Sequence, residues 1–144
     1  MGTYSLFDHT ADIGIEVHGQ DLADVLATAA RAVFDLVLED RPATVAVRET
    51  IAVRPDPALG PDAAEVLVAW LQELLYRFET ERLVPVHVDI GAASGEGARV
   101  RVGFGRFDPA RHRTGLEVKA VTYHGLEVGE AANGSCVARF IVDV

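Results

Sequence analysis

The sequence predicts an α+β fold, a single layered domain in which two amphipathic helices pack on a largely antiparallel sheet. Three observations lead there. Two stretches repeat apolar residues at three- and four-residue steps, about six others alternate apolar with polar residues, and the alternating runs dominate the second half of the chain. With 144 residues, 49% of them hydrophobic, one domain spanning residues 1–144 is large enough to bury about two-thirds of the surface its unfolded chain exposes.

The first alternating run is Ile13, Ile15 and Val17 set against Gly14, Glu16 and His18, the signature of a half-buried strand, and Gly19 ends it. Asp21 can cap the helix that follows, in which Leu22, Val25, Leu26, Ala29, Val33, Phe34 and Val37 share a face. Arg41-Pro42 breaks that pattern. Thr44 to Val53, with Val45, Val47, Ile51 and Val53, reads as a second strand. The proline-rich stretch Pro55 to Pro61 holds neither regular structure and is a loop. Asp62 with Glu65 resembles a capping box, and Val66, Leu67, Trp70, Leu71, Leu74, Leu75 and Phe78 form the strongest amphipathic stripe in the chain. From Val84 onward the pattern is strand: Val86 to Ile90, Val100 to Phe104, Leu116 to Thr122 and Cys136 to Val142. Turn signals lie at Ala92 to Gly97 and at Asn133-Gly134.

Composition narrows the chemistry. A net charge of -9 repels phosphate backbones, so autonomous nucleic-acid binding is not expected, and the same field favours a basic partner surface or a cation. A single cysteine, Cys136, excludes an intrachain disulfide and a four-cysteine zinc site. The start Met1-Gly2-Thr3-Tyr4-Ser5 lacks the basic and apolar regions of a secretory signal, and no apolar run approaches the ~20 residues of a membrane span. A cytoplasmic location with no membrane partner is the expectation.

Two places concentrate oxygen ligands. Phe7-Asp8-His9-Thr10-Ala11-Asp12-Ile13-Gly14 brings two carboxylates, an imidazole and a hydroxyl to one strand entrance. Ala138 to Val144 carries strand alternation up to Asp143 and the main-chain carboxylate of Val144. Hard divalent cations favour such all-oxygen sets.

Four strings carry a family resemblance: HTADIG at His9 to Gly14, ELLYRFE at Glu73 to Glu79 with LVP at Leu83 to Pro85, EVKAVTYHGLEV at Glu117 to Val128, and ARFIVDV at the end. In this order they resemble archease, the protein cofactor of RtcB-type RNA ligases. Cys136 departs from the pattern, standing where many relatives carry tryptophan. The resemblance implies a non-catalytic activator that promotes guanylylation of the ligase and multiple turnover in tRNA splicing and RNA repair. A chaperone-like or specificity role towards a tRNA methyltransferase is also implied for the family. Carried over by position, the metal site falls on Asp12, Asp143 and Val144, and the ion is Ca²⁺, with Mg²⁺ or Mn²⁺ as alternatives.

Each candidate has a plainer reading. Asp12 can satisfy turn N–H groups, and Asp143 alone is an exposed strand-end charge. Asp8, extended, points away from His9 and reads as a solvated charge. His9 is a donor that orients Asp12 or a strand cap, since hard cations disfavour imidazole. Lys119, Tyr123 and His124 read either as contacts with the ligase or its bound nucleotide, or as ordinary surface and turn residues. Arg111-His112-Arg113 reads as a basic cluster or a solvated loop. The rival to an activator is an autonomous enzyme, either a metal-dependent hydrolase using Asp12, Asp143 and a histidine, or a thiol enzyme pairing Cys136 with His9 or His124. A structural homo-oligomer is the third reading.

Overall fold

A computed structural model describes residues 2–9 and 12–144. Among them are two α-helices, α1 (Leu22–Val37) and α2 (Ala63–Glu81), and seven strands: β1 (Thr3–His9), β2 (Asp12–Gly19), β3 (Val47–Val53), β4 (Leu83–Ser94), β5 (Gly97–Arg106), β6 (Ala120–Glu130) and β7 (Cys136–Asp143). The strands form two antiparallel sheets, one of order β1-β2-β7-β6 and one of order β3-β5-β4.

The α+β class and both helices stand as read from sequence, but the helices do not cover one face of one sheet. They form a layer between the two sheets: α1 packs on β1, β2 and β7 on one side and on β4 on the other, and α2 lies between β6 and the three-stranded sheet. The residues of α1 explain the difference. Its buried set adds Thr28, Ala30 and Ala32 to the apolar stripe, so small side chains let a second sheet approach where the stripe alone marks one buried face. Trp70, Phe34, Phe104 and Phe140 are fully buried, each contributing about 1.5–3 kcal/mol of transfer free energy. The Trp70 indole N–H donates to the Leu26 carbonyl at 2.9 Å and ties the two helices together.

The helix starts follow their caps. The Asp21 carboxylate accepts the N–H of Asp24 at 2.8 Å, and that of Asp62 accepts the N–H of Ala64 at 2.8 Å. Helix α2 ends at Arg82, whose left-handed conformation (φ 56°) turns its N–H back onto the carbonyls of Arg77 and Phe78. The loop from Pro55 holds a 3₁₀ turn at Pro57–Leu59.

Three strand readings need correction. β1 is an additional strand, paired along its whole length with β2. β3 begins at Val47 rather than at Thr44. The segment Leu116 to Lys119 is not strand: Gly115 and Leu116 donate to the carbonyls of Val37 and Leu36 at 2.7 and 2.8 Å, partnering the acceptors that a helix end leaves open. β6 starts at Ala120, and Val121, 3% exposed, is the residue that faces the core.

Candidate functional site

Core alternation sets the register on which the site depends. Ile15 and Val17 on β2, and Ala138, Phe140 and Val142 on β7, face the helices and are fully buried. Because β-strand faces alternate, Asp12 and Asp143 fall on the opposite face. The antiparallel pairing makes them direct cross-strand partners, at the entrance of one strand and the end of the other. Side chains so placed stand about 5 Å apart at Cβ, and like charges there repel.

That repulsion disfavours ionising both carboxyls at once. Hydrogen bonding to Asp12, then desolvation and the Asp12 charge, push the Asp143 carboxyl above its ordinary value, while the Lys119 charge opposes the shift. A divalent cation held between two carboxylates offsets the same repulsion. The donor chemistry therefore fits a hard cation. Two carboxylates do not complete a coordination sphere, and among the described residues no group of three His, Cys, Asp or Glu side chains surrounds the point. Val144 lies one residue beyond β7 and is 38% exposed.

The neighbours divide clearly. The Lys119 N–H donates to the Asp143 carbonyl at 2.8 Å, anchoring the entry to β6 beside the site. The backbone of His9 lies opposite Asp12; its side chain, and Thr10 and Ala11, lie outside the described residues. Asp8 pairs with Ile13, placing it on the face away from Asp12, as its solvated reading requires. His124 is exposed, in the stretch of β6 where the register shifts between Thr122 and Glu127. Tyr123 reaches α2, where its hydroxyl donates to Glu65 at 3.3 Å.

Other candidates take structural roles. His112 accepts the Asp108 N–H at 2.9 Å and closes a turn, while Arg113 pairs with Asp40 at 3.1 Å and Glu39 at 3.7 Å. Cys136 is half-buried at the start of β7; burial, then the charges of Asp21 and Glu130, push its thiol up. A nucleophilic cysteine needs the reverse.

Two residues at the site were not singled out in the sequence. Gly14 has no room for a side chain, because an added Cβ would lie 2.1 Å from the Phe7 ring. That ring is sandwiched under the Arg139 guanidinium at 4.3 Å, next to the carboxylate pair. Thr122 shares the outward face with Asp143, and its hydroxyl oxygen is buried with no hydrogen-bond partner among the described residues. The alternation of Ala120 and Thr122 marks a face, but only the pairing with β7 shows what that face adjoins.

Comparison with known proteins settles the lineage. The profile of the Archease protein family matches residues 4–144. The chain belongs to the archease family. Protein archease of Pyrococcus furiosus is 31% identical over 147 residues, covering 100% of both chains, and that of Methanopyrus kandleri is 35% identical over 141 residues, covering 95% of this chain and 96% of the relative. The solution structure of Methanobacterium thermoautotrophicum protein 1598 aligns with a TM-score of 0.68 and 29% identity, over 98% of each chain. The archease match therefore takes in both strands that carry the carboxylate pair. No described helix is long and apolar enough to cross a membrane.

Proposed function

We propose that this archease is a non-catalytic, metal-binding activator of an RtcB-type RNA ligase, promoting ligase guanylylation and multiple turnover in tRNA splicing and RNA repair. Family membership supports the partner. The observation that carries the metal is the cross-strand pairing of Asp12 with Asp143, two carboxylates whose mutual repulsion a cation would offset. Asp12, Asp143 and the Val144 carboxylate would hold the ion, Ca²⁺ with Mg²⁺ or Mn²⁺ as alternatives, through the all-oxygen donor set that hard divalent cations take. Once bound, the ion supplies a fixed positive charge at this end of the four-stranded sheet. Lys119, whose charge acts on Asp143, and His124, exposed further along β6, would contact the ligase.

Ligation assayed with and without the archease tests this reading. The expected result is no product from the archease alone and a rise in ligase turnover at substoichiometric amounts. Asp12→Ala and Asp143→Ala should each lower Ca²⁺ affinity in calorimetry at least tenfold, the scale of about 1.4 kcal/mol, and should abolish activation while the fold persists. Hydrolysis of RNA by the archease alone, or unchanged Ca²⁺ affinity in both variants, would overturn it.

A further inference from the structure

The outer face of the β3-β5-β4 sheet is unlike the rest of this acidic molecule. Ile51, Val53, Val100 and Val102 face the helices and are buried, so the alternate residues form a solvent-facing grid whose rows follow from the register. One row is His87, Gly103 and Arg48; the next is Asp89, Arg101 and Thr50; in the third, Arg99 pairs with Ala52. Arg99, Arg101 and Arg48 thus occupy successive pleats, about 6.8 Å apart along the strand direction, a step comparable to that between phosphates of an extended single strand. Arg101 is ion-paired with Asp89 and three-quarters exposed. Arg48 and Arg99 are exposed and have no ion-pair partner among the described residues. An open depression of about 670 Å³ lies on this grid between Arg48, His87 and Arg101.

What the face lacks decides between partners. A protein interface is organised around buried aromatic or aliphatic anchors. The exposed large apolar residues Leu6, Leu59, Tyr76, Leu116, Tyr123 and Val144 all lie elsewhere, and this face offers three arginines against one carboxylate, Asp89, with a histidine, a threonine and small residues. Guanidinium groups in line, without apolar anchors, suit phosphates, which they bind in a forked geometry. We propose that the outer face of the β3-β5-β4 sheet binds the phosphodiester backbone of a single-stranded RNA, without reading its sequence. The proposal rests on the activator reading only for what presents that strand, the ligase; the contact is a property of this chain and is tested without the ligase.

The test is a titration of the archease with a short oligouridylate at low ionic strength, followed through backbone amide shifts. The expected shifts centre on Arg48, Arg99 and Arg101. The triple variant Arg48→Glu, Arg99→Glu, Arg101→Glu should lose the binding, and the neutral Arg48→Gln, Arg99→Gln, Arg101→Gln should reduce the slope of log affinity against log salt by about 2, at about 0.7 per phosphate contact on a single strand. A control pair, Arg111→Glu with Arg113→Glu, should bind as the parent does. Absence of binding at low salt, equal loss in the control, or equally tight binding of polyglutamate would each overturn the proposal, the last by assigning the face to an acidic peptide. Ligase activation that persists when the titration fails would leave the activator reading intact.

Discussion

Gly14 shows how one side chain fixes the geometry of the site without touching it. Phe7 lies across β2 at the pleat next to Asp12, and an added Cβ at Gly14 would come within 2.1 Å of its ring. Arg139 closes over the far side of that ring while reaching Glu16 at 3.7 Å, so the ring cannot lift without breaking a second contact. Gly14→Ala is therefore expected to cost about 1–3 kcal/mol, the usual range for overpacking, measured by urea denaturation. A loss below about 0.5 kcal/mol, the level of an ordinary surface substitution, would show that Phe7 moves freely and that the glycine is not needed for packing. The motif HTADIG thus seats Phe7 at Gly14 beside the carboxylate proposed as a ligand, Asp12, and only the carboxylate is legible from residue chemistry. Sequence spacing shows a carboxylate; it does not show which ring lands on a neighbouring strand.

At the level of elements, β7 unites fold and site. It runs between β2 and β6, pairing with both, so Asp143 is held from each side: opposite Asp12 on β2 and opposite Ala120 on β6. The alternation of Ala138, Phe140 and Val142 was legible in the sequence, and so was the outward face of Asp143. Which strand would stand beside it was not, because period-2 patterning fixes a face but not a partner. The same limit hid β1: Leu6 is 50% exposed, so this edge strand lacks a clean apolar period and is held by backbone pairing with β2. Segment Leu116 to Lys119 erred the other way, showing alternation while Leu116 donates its N–H to the end of α1 and Lys119 donates to Asp143. If the Val144 carboxylate completes the ligand set on β7, a short neutral extension after Val144 replaces a full charge with an amide carbonyl and crowds the ion. Ca²⁺ affinity and ligase activation should both fall relative to the chain ending at Val144, while the thermal midpoint of the metal-free protein stays within a few degrees, because Phe140 and Val142 still anchor the strand. Equal affinity for the two forms would leave Asp12 and Asp143 without their third partner.

For the molecule as a whole, three layers separate two chemistries by the thickness of the helices. The carboxylate pair opens on the outer face of one sheet, and the arginine grid on the outer face of the other, with a core containing Trp70, Phe34 and Phe104 between them. That arrangement reconciles a locally basic face with a net charge of -9: long-range repulsion of a polyanion is set by the total charge, whereas contact is set by the few groups within a Debye length of about 8 Å at physiological salt. Three phosphate contacts are too few to offset the total. Lost affinity follows the salt slope, so contacts that register at low ionic strength weaken by roughly the square of the salt ratio when about 2 counterions are released. The isolated archease is therefore expected to show no measurable affinity for tRNA at physiological salt, with recruitment to RNA arising only when the ligase holds both. A gel-shift series against tRNA with rising salt checks this. Binding that survives to physiological salt would mean that the surface carries more cationic contacts than the grid supplies, and the separation of partner docking from RNA contact onto opposite faces would have to be abandoned.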